Sequence, residues 1–404
     1  MTAAGFLPHW PPEVNGFMVF GLLLLAGLCG GRLAATTRVL PAITGYIATG
    51  FLLGPGGLGW LDESMLAQAR VIAEFSLGLI VFDLGRRLDL DWARHDRWLL
   101  PMGLAESVIS FVAMFALLHL LGGIDTLEAA VAGTVGIATA PAVVLLVTYE
   151  LKADGPVTRR MLWHVALNNI VAVLGITVLL PFIEARAEGA SWNPVARSLW
   201  IVAGSFLLGY VAFRVLELLA RWFGKSPGPQ FILTVGAIIV TVGAAQAGRL
   251  SVLLALLVLG VCARNLDRDH RLIDVDFGRA AQLFFVFLFV LAGAALRTDQ
   301  FGSIAWLGLA FVVARAIGKA AGLFALAWPA HISPRQAATL GLALTPMLGL
   351  SIGMTQPIYA VAPEFGARLT AVVASGVAIL YLLGPIATRY ALLRAGEGEP
   401  AARD

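Results

Sequence analysis

The chain has 404 residues, 59% of them hydrophobic and only 13% charged, with a mean hydropathy of +0.85 and a formal net charge of +3. A soluble domain carries roughly 25% charged residues, so the composition excludes a soluble globular protein and indicates an all-α polytopic membrane protein. The isoelectric point near 9.1 does not signal a nucleic-acid partner, because 25 of the 28 basic residues are Arg and most lie in short loops between apolar runs.

A membrane-spanning helix needs roughly 20 apolar residues. In chain order such runs fall near 16–35, 39–55, 67–86, 98–121, 127–150, 159–183, 195–222, 229–248, 250–266, 278–297, 302–328, 335–357 and 368–392, about 13 spans. The first has no Lys or Arg before it, so it does not read as a cleaved signal peptide. With the N-terminus outside, 19 basic residues fall in the inner loops and the tail, and six outside. Cytoplasmic loops carry the excess of Lys and Arg, so the expected topology is N-terminus outside and C-terminus cytoplasmic. Residues 1–394 then form one membrane domain, and 395–404 form a short cytoplasmic tail.

Two pairs of segments repeat at nearly one offset. Gly85-Arg86-Arg87-Leu88-Asp89 ends the third span, and Gly293-Ala294-Ala295-Leu296-Arg297-Thr298-Asp299 ends the tenth, 208 positions later. Thr139-Ala140-Pro141 interrupts the fifth span and Thr345-Pro346-Met347 the twelfth, 206 positions later. Seven spans separate each pair, so the copies run in opposite directions across the bilayer. Paired interrupted segments in corresponding halves point to a transporter's binding site, because Pro141 and Pro346 each remove a helical hydrogen bond. The plainer reading of either proline alone is a simple kink.

Several motifs together resemble the monovalent cation–proton antiporter superfamily. Gly45-Tyr46-Ile47-Ala48-Thr49-Gly50-Phe51-Leu52-Leu53-Gly54-Pro55-Gly56-Gly57-Leu58-Gly59 is similar to its early GYxxxGxxLGPxGLG segment. Ala73-Glu74-Phe75-Ser76-Leu77-Gly78, followed by Gly85 and Asp89, also fits. Thr139-Ala140-Pro141-Ala142-Val143-Val144 resembles the unwound TDPAVV stretch, and Gly155-Pro156-Val157-Thr158-Arg159 leads into the helix that would bind the ion. Arg315-Ala316-Ile317-Gly318-Lys319 resembles the family's RxxGK helix. The resemblance implies a small ion as partner, Na⁺ or K⁺ with H⁺, and a homodimer in the plasma membrane of a bacterium. It also implies a core of about 98–183 and 302–392 that rocks against a dimerisation scaffold of about 39–86 and 250–297.

The departures bear on the chemistry. Where the family places Asn-Asp or Asp-Asp, this chain has Asn168-Asn169, and amides cannot carry a proton. Ala140 stands for the Asp of the unwound stretch, and Met347-Leu348-Gly349-Leu350 replaces a charged group near the second interruption. The ion site is therefore expected at Asn168, Asn169, Thr139, Ala140, Pro141, Thr345 and Pro346, with proton or charge partners to be sought elsewhere. His164 lies one turn before Asn168 on the same face and is the one side-chain type that titrates near neutral pH unaided; the alternative is an ordinary hydrogen-bonded or wet histidine near the helix end. Asp83 is a relocated proton site or the ion-pair partner of Arg86 or Arg87. Glu74, and more weakly Glu106, are acids that either titrate or fix helix packing. Arg315 and Lys319 share a face at i and i+4. Lys319 is expected to snorkel to the interface, and an unpaired Arg315 would favour an anion.

Two further readings stay open beside the antiporter: an uncoupled pathway or carrier of anions or neutral solutes, and a non-transporting membrane sensor. No enzyme, cofactor or metal chemistry is expected. The six histidines and two cysteines show no ligand spacing, and no phosphate loop occurs.

Overall fold

The computed structural model describes residues 16–37, 40–61, 63–188, 193–267, 278–294, 305–347 and 361–398 and isolated positions between them, with some side chains of helices omitted, among them Glu74. Arg297 and Asp299 of the repeat, and Leu348, Gly349 and Leu350, also lie outside the described residues. The described chain is helical: α1 (Gly16–Thr36), α2 (Ala42–Leu53), α3 (Glu63–Arg86), the short α4 (Leu90–His95), α5 (Leu99–Ala116), α6 (Thr126–Ile137), α7 (Pro141–Glu150), α8 (Pro156–Glu188), α9 (Pro194–Phe223), α10 (Pro227–Ala247), α11 (Val252–Asn265), α12 (Gly278–Ala294), α13 (Ala305–Ala327), α14 (Pro334–Ala343) and α15 (Pro363–Ala395). Eight helices among the described residues, counting α6–α7 as one, are long and apolar enough to cross a membrane, and shorter apolar helices accompany them. Each expected span meets a helix or a broken pair of helices; the total of 13 is not fixed by this.

The motif glycines bring backbones together. A Cβ at Gly50 would lie 1.9 Å from Val290 O, and one at Gly293 would lie 2.1 Å from Ile47 O, so α2 and α12 touch main chain to main chain. Gly85 and Gly260 do the same for α3 and α11, at 2.5 Å from Leu257 O and 2.3 Å from Phe82 O. Small residues permit such close packing where the surrounding lipid provides no hydrophobic drive between helices. Beside these helices stands a second group, in which α5 packs on α13, α6 on α8, and α14 on α15. Gly318 and Gly322 set α13 against Ser110 and Glu106 of α5, with 2.6 and 2.4 Å from a built Cβ to their Cα atoms.

Helix ends follow ordinary capping chemistry. Asp125 opens α6 by accepting from Leu127 N at 3.1 Å, and Ser333 and Gln336 form a capping box on α14. Asp89 opens α4, accepting from Asp91 N and Trp92 N at 3.0 Å and from Arg264 Nη2 at 2.8 Å. Partial burial pushes the Asp89 carboxyl up, but the Trp92 amide and the Arg264 guanidinium outweigh it and hold the pKa below its ordinary value. A depressed native pKa contributes stability above the unfolded value and loses it as pH falls through the native one. Asp89→Ala is therefore expected to cost about 1 kcal/mol at neutral pH. The gap should close at acid pH, where the parent also loses the cap; thermal unfolding in detergent at the two pH values measures it.

Candidate ion site

Helix α6 stops because Ala138 turns extended, with ψ 139°. Helix α7 restarts at Pro141, whose missing N–H costs nothing in the first turn. Ala140, extended at the N-cap, supplies no side-chain cap. Its N–H instead donates to Pro346 O at 2.9 Å, and Thr139 Oγ1 donates to Leu344 O at 3.2 Å. The two interruptions that lie 206 positions apart in sequence are thus hydrogen-bonded to each other, and the plain-kink reading fails for both prolines.

The long helix α8 passes this junction with Asn168 and Asn169, which are 0% and 3% exposed. Asn168 Nδ2 donates to Thr139 Oγ1 at 2.9 Å. Asn169 Nδ2 donates to Thr139 O and to Val165 O, each at 2.7 Å, while its Oδ1 has no partner. An acid cannot copy these bonds, since a carboxylate is an acceptor only. In Asn169→Asp an oxygen would face two carbonyl oxygens, at a cost of about 1–3 kcal/mol, unless a proton or a cation intervenes. The expected result is a thermal stability of Asn169→Asp that rises with Na⁺, relative to choline, more than that of the parent does.

Arg315 is 1% exposed and spends its donors on main chain. Nε donates to Gly136 O at 2.9 Å, Nη2 to Ala138 O at 2.8 Å and Nη1 to Thr345 O at 2.7 Å. These acceptors are the carbonyl-bearing, negative ends of α6 and α14. The expectation of an unpaired Arg315 is therefore corrected. Arg315 offsets helix C-termini, and the main motive for an anion site disappears.

Lys319 does not snorkel. It is buried, donates to Ile137 O at 3.1 Å, and forms a short ion pair with Glu106 Oε1. Glu106 is 0% exposed, and its second oxygen, Oε2, has no hydrogen-bond partner. The hydroxyls of Ser107 and Ser110 on the same helix are also buried and unpartnered. His164 is fully buried, and neither ring nitrogen is hydrogen-bonded to a described residue. It faces α5, since a Cβ at Gly103 would lie 3.5 Å from its Nδ1. Sequence reasoning ranked Glu106 low and missed its pairing with Lys319.

Asp83 stands elsewhere. It pairs with Arg87 at 3.2 Å at the end of α3, and Arg87 also donates to the Tyr149 hydroxyl at the end of α7. Among the described residues no three His, Cys, Asp or Glu side chains cluster as a metal site.

Residues 20–391 match the family model described as the transmembrane region of the sodium/hydrogen exchanger. The chain is similar in fold to the sodium proton antiporter MjNhaP1 from Methanocaldococcus jannaschii. A structure of it at pH 8 has a TM-score of 0.72 and 15% identity, over 94% of this chain and 95% of that one. A second, from an electron-microscopy map, has a TM-score of 0.76 at 15% identity, over 93% and 96%. The chain belongs to the sodium/hydrogen exchanger family of transmembrane antiporters.

Proposed function

We infer that this chain is a secondary transporter exchanging a monovalent cation, Na⁺ or K⁺, for a proton, and that Glu106 and Lys319 do the exchange which Asn168 and Asn169 cannot. The buried ion pair with one unpartnered carboxylate oxygen carries the reading. Ionisable groups inside a membrane mark ion pathways and proton relays. An arriving cation binds Glu106 through its two carboxylate oxygens, with the hydroxyl of Ser110, one turn on along the same helix face, as a further oxygen ligand. Lys319 then loses its partner and releases one proton. Charge is balanced: one cation enters the core for each proton that leaves. Asn168, Asn169 and Thr139 hold α8 to the interruption, and Arg315 keeps the junction intact.

The remaining parts of the reading rest on the resemblance and on the packing. The group containing α5–α8 and α13–α15 moves against the α2, α3, α11 and α12 group in alternating access. The latter group supports a homodimer, with the N-terminus outside a bacterial inner membrane.

Proteoliposome flux with an internal pH dye tests this. Na⁺ or K⁺ gradients should drive a pH change in the parent and none in Glu106→Gln. One observation favours a second reading, an uncoupled pathway: Arg315 already occupies the carbonyls at the junction. Cation flux without pH change in the parent would select it, and exchange surviving in Glu106→Gln would sink the assignment of Glu106.

A further inference from the structure

The segment after α15 reaches back to the helix that carries the two asparagines. Gly396, in the left-handed region at φ 73°, turns the chain, and Glu397 N closes the turn on Leu392 O at 3.2 Å. Glu397 then lies on the N-terminus of α8. Its Oε1 accepts from Val157 N at 2.8 Å, and its Oε2 accepts from Thr158 N at 2.7 Å and Thr158 Oγ1 at 2.8 Å. Its carbonyl oxygen accepts from Asp154 N at 3.0 Å. The floor is Gly155, where a Cβ would sit 2.3 Å from the Glu397 Cδ, so any larger residue would expel the carboxylate. Gly398 also lies against Leu151, its built Cβ 3.1 Å from Leu151 Cβ.

A helix N-terminus attracts an anion through its free N–H groups and its dipole. Here that preference is met by a carboxylate 240 positions away, with both oxygens used and the loop between α7 and α8 included. The charged neighbours on the α8 side are otherwise engaged, Arg159 with Asp154 at 3.2 Å and Arg160 with Asp96 at 2.7 Å.

We propose that the N-terminus of α8 is a carboxylate-binding site whose ligand is Glu397, and that through it the segment after α15 controls the position of the helix bearing His164, Asn168 and Asn169. The site itself stands apart from the transport reading; only the control of turnover rests on it. Hydrogen exchange on the full chain in nanodiscs tests the site without any transport. In Glu397→Ala the amides of residues 157–161 should exchange on the order of fivefold faster than in the parent, with those of α9 unchanged. Glu397→Gln, which keeps an acceptor but no charge, should fall between. Parent-like protection in Glu397→Ala, or equal acceleration over α9, would overturn the site. In flux, Glu397→Ala should lower turnover on the order of twofold and leave the pH midpoint at its parent value. Unchanged turnover would reduce Glu397 to a helix cap and overturn the control.

Discussion

Glu106→Gln is expected to lower the stability of the protein in detergent by about 3–5 kcal/mol, because it leaves the Lys319 ammonium buried without its counter-charge. The size follows from the surroundings: Lys319 is 1% exposed, and its remaining acceptor is the single carbonyl of Ile137. The double variant Glu106→Gln/Lys319→Met should recover most of the loss, since removing both partners of a buried pair is often close to neutral. That recovery separates stability from function. The double variant should fold and still show no cation-driven pH change, because neither residue left behind can bind or release a proton. A double-mutant cycle with thermal unfolding, run beside flux on the same preparations, gives both answers. A folded double variant that still exchanges protons would move the search to His164, another buried titratable group facing α5.

The frame of this fold was legible because it is written in small residues and breakers. Gly50, Gly85 and Gly293 stand out in sequence, and each proves to be a backbone contact. Pro141 and Pro346 stand out likewise, and their interruptions meet. The chemistry was less legible for a physical reason. Glu106 and Lys319 lie 213 positions apart and face each other only once α5 has packed on α13. Periodicity assigns each residue to a face, but it does not say which helix that face meets. Arg315 was harder still, because its partners are main-chain carbonyls, and every residue has one. Glu397 lies in what reads as a polar stub, and a lone acid gives no sign of its distant amides.

Arg315→Met keeps an unbranched but shorter side chain and removes every donor, and it is expected to destabilise the protein by about 3–5 kcal/mol. The estimate takes the lower part of the range of about 1–3 kcal/mol per group for the carbonyls of Gly136, Ala138 and Thr345 left without partners, since Thr345 is only partly buried. Arg315→Lys should lie in between, since an ammonium keeps the charge but has no fork with which to reach both interruptions at once. The loss has one physical remedy. Three carbonyl oxygens freed together, with the unpartnered Asn169 Oδ1 nearby on α8, are the oxygen set that a hard monovalent cation takes. Na⁺ or K⁺ should then raise the unfolding temperature of Arg315→Met more than that of the parent, whose guanidinium already holds those oxygens. Thermal unfolding in NaCl, KCl and choline chloride reads this directly. A large loss with no cation response would mean that the junction collapses without its arginine. A loss under about 1 kcal/mol, the net worth of a typical single hydrogen bond, would mean that water replaces the guanidinium at little cost, and the assignment of Arg315 as the group that holds the two interruptions together would fail.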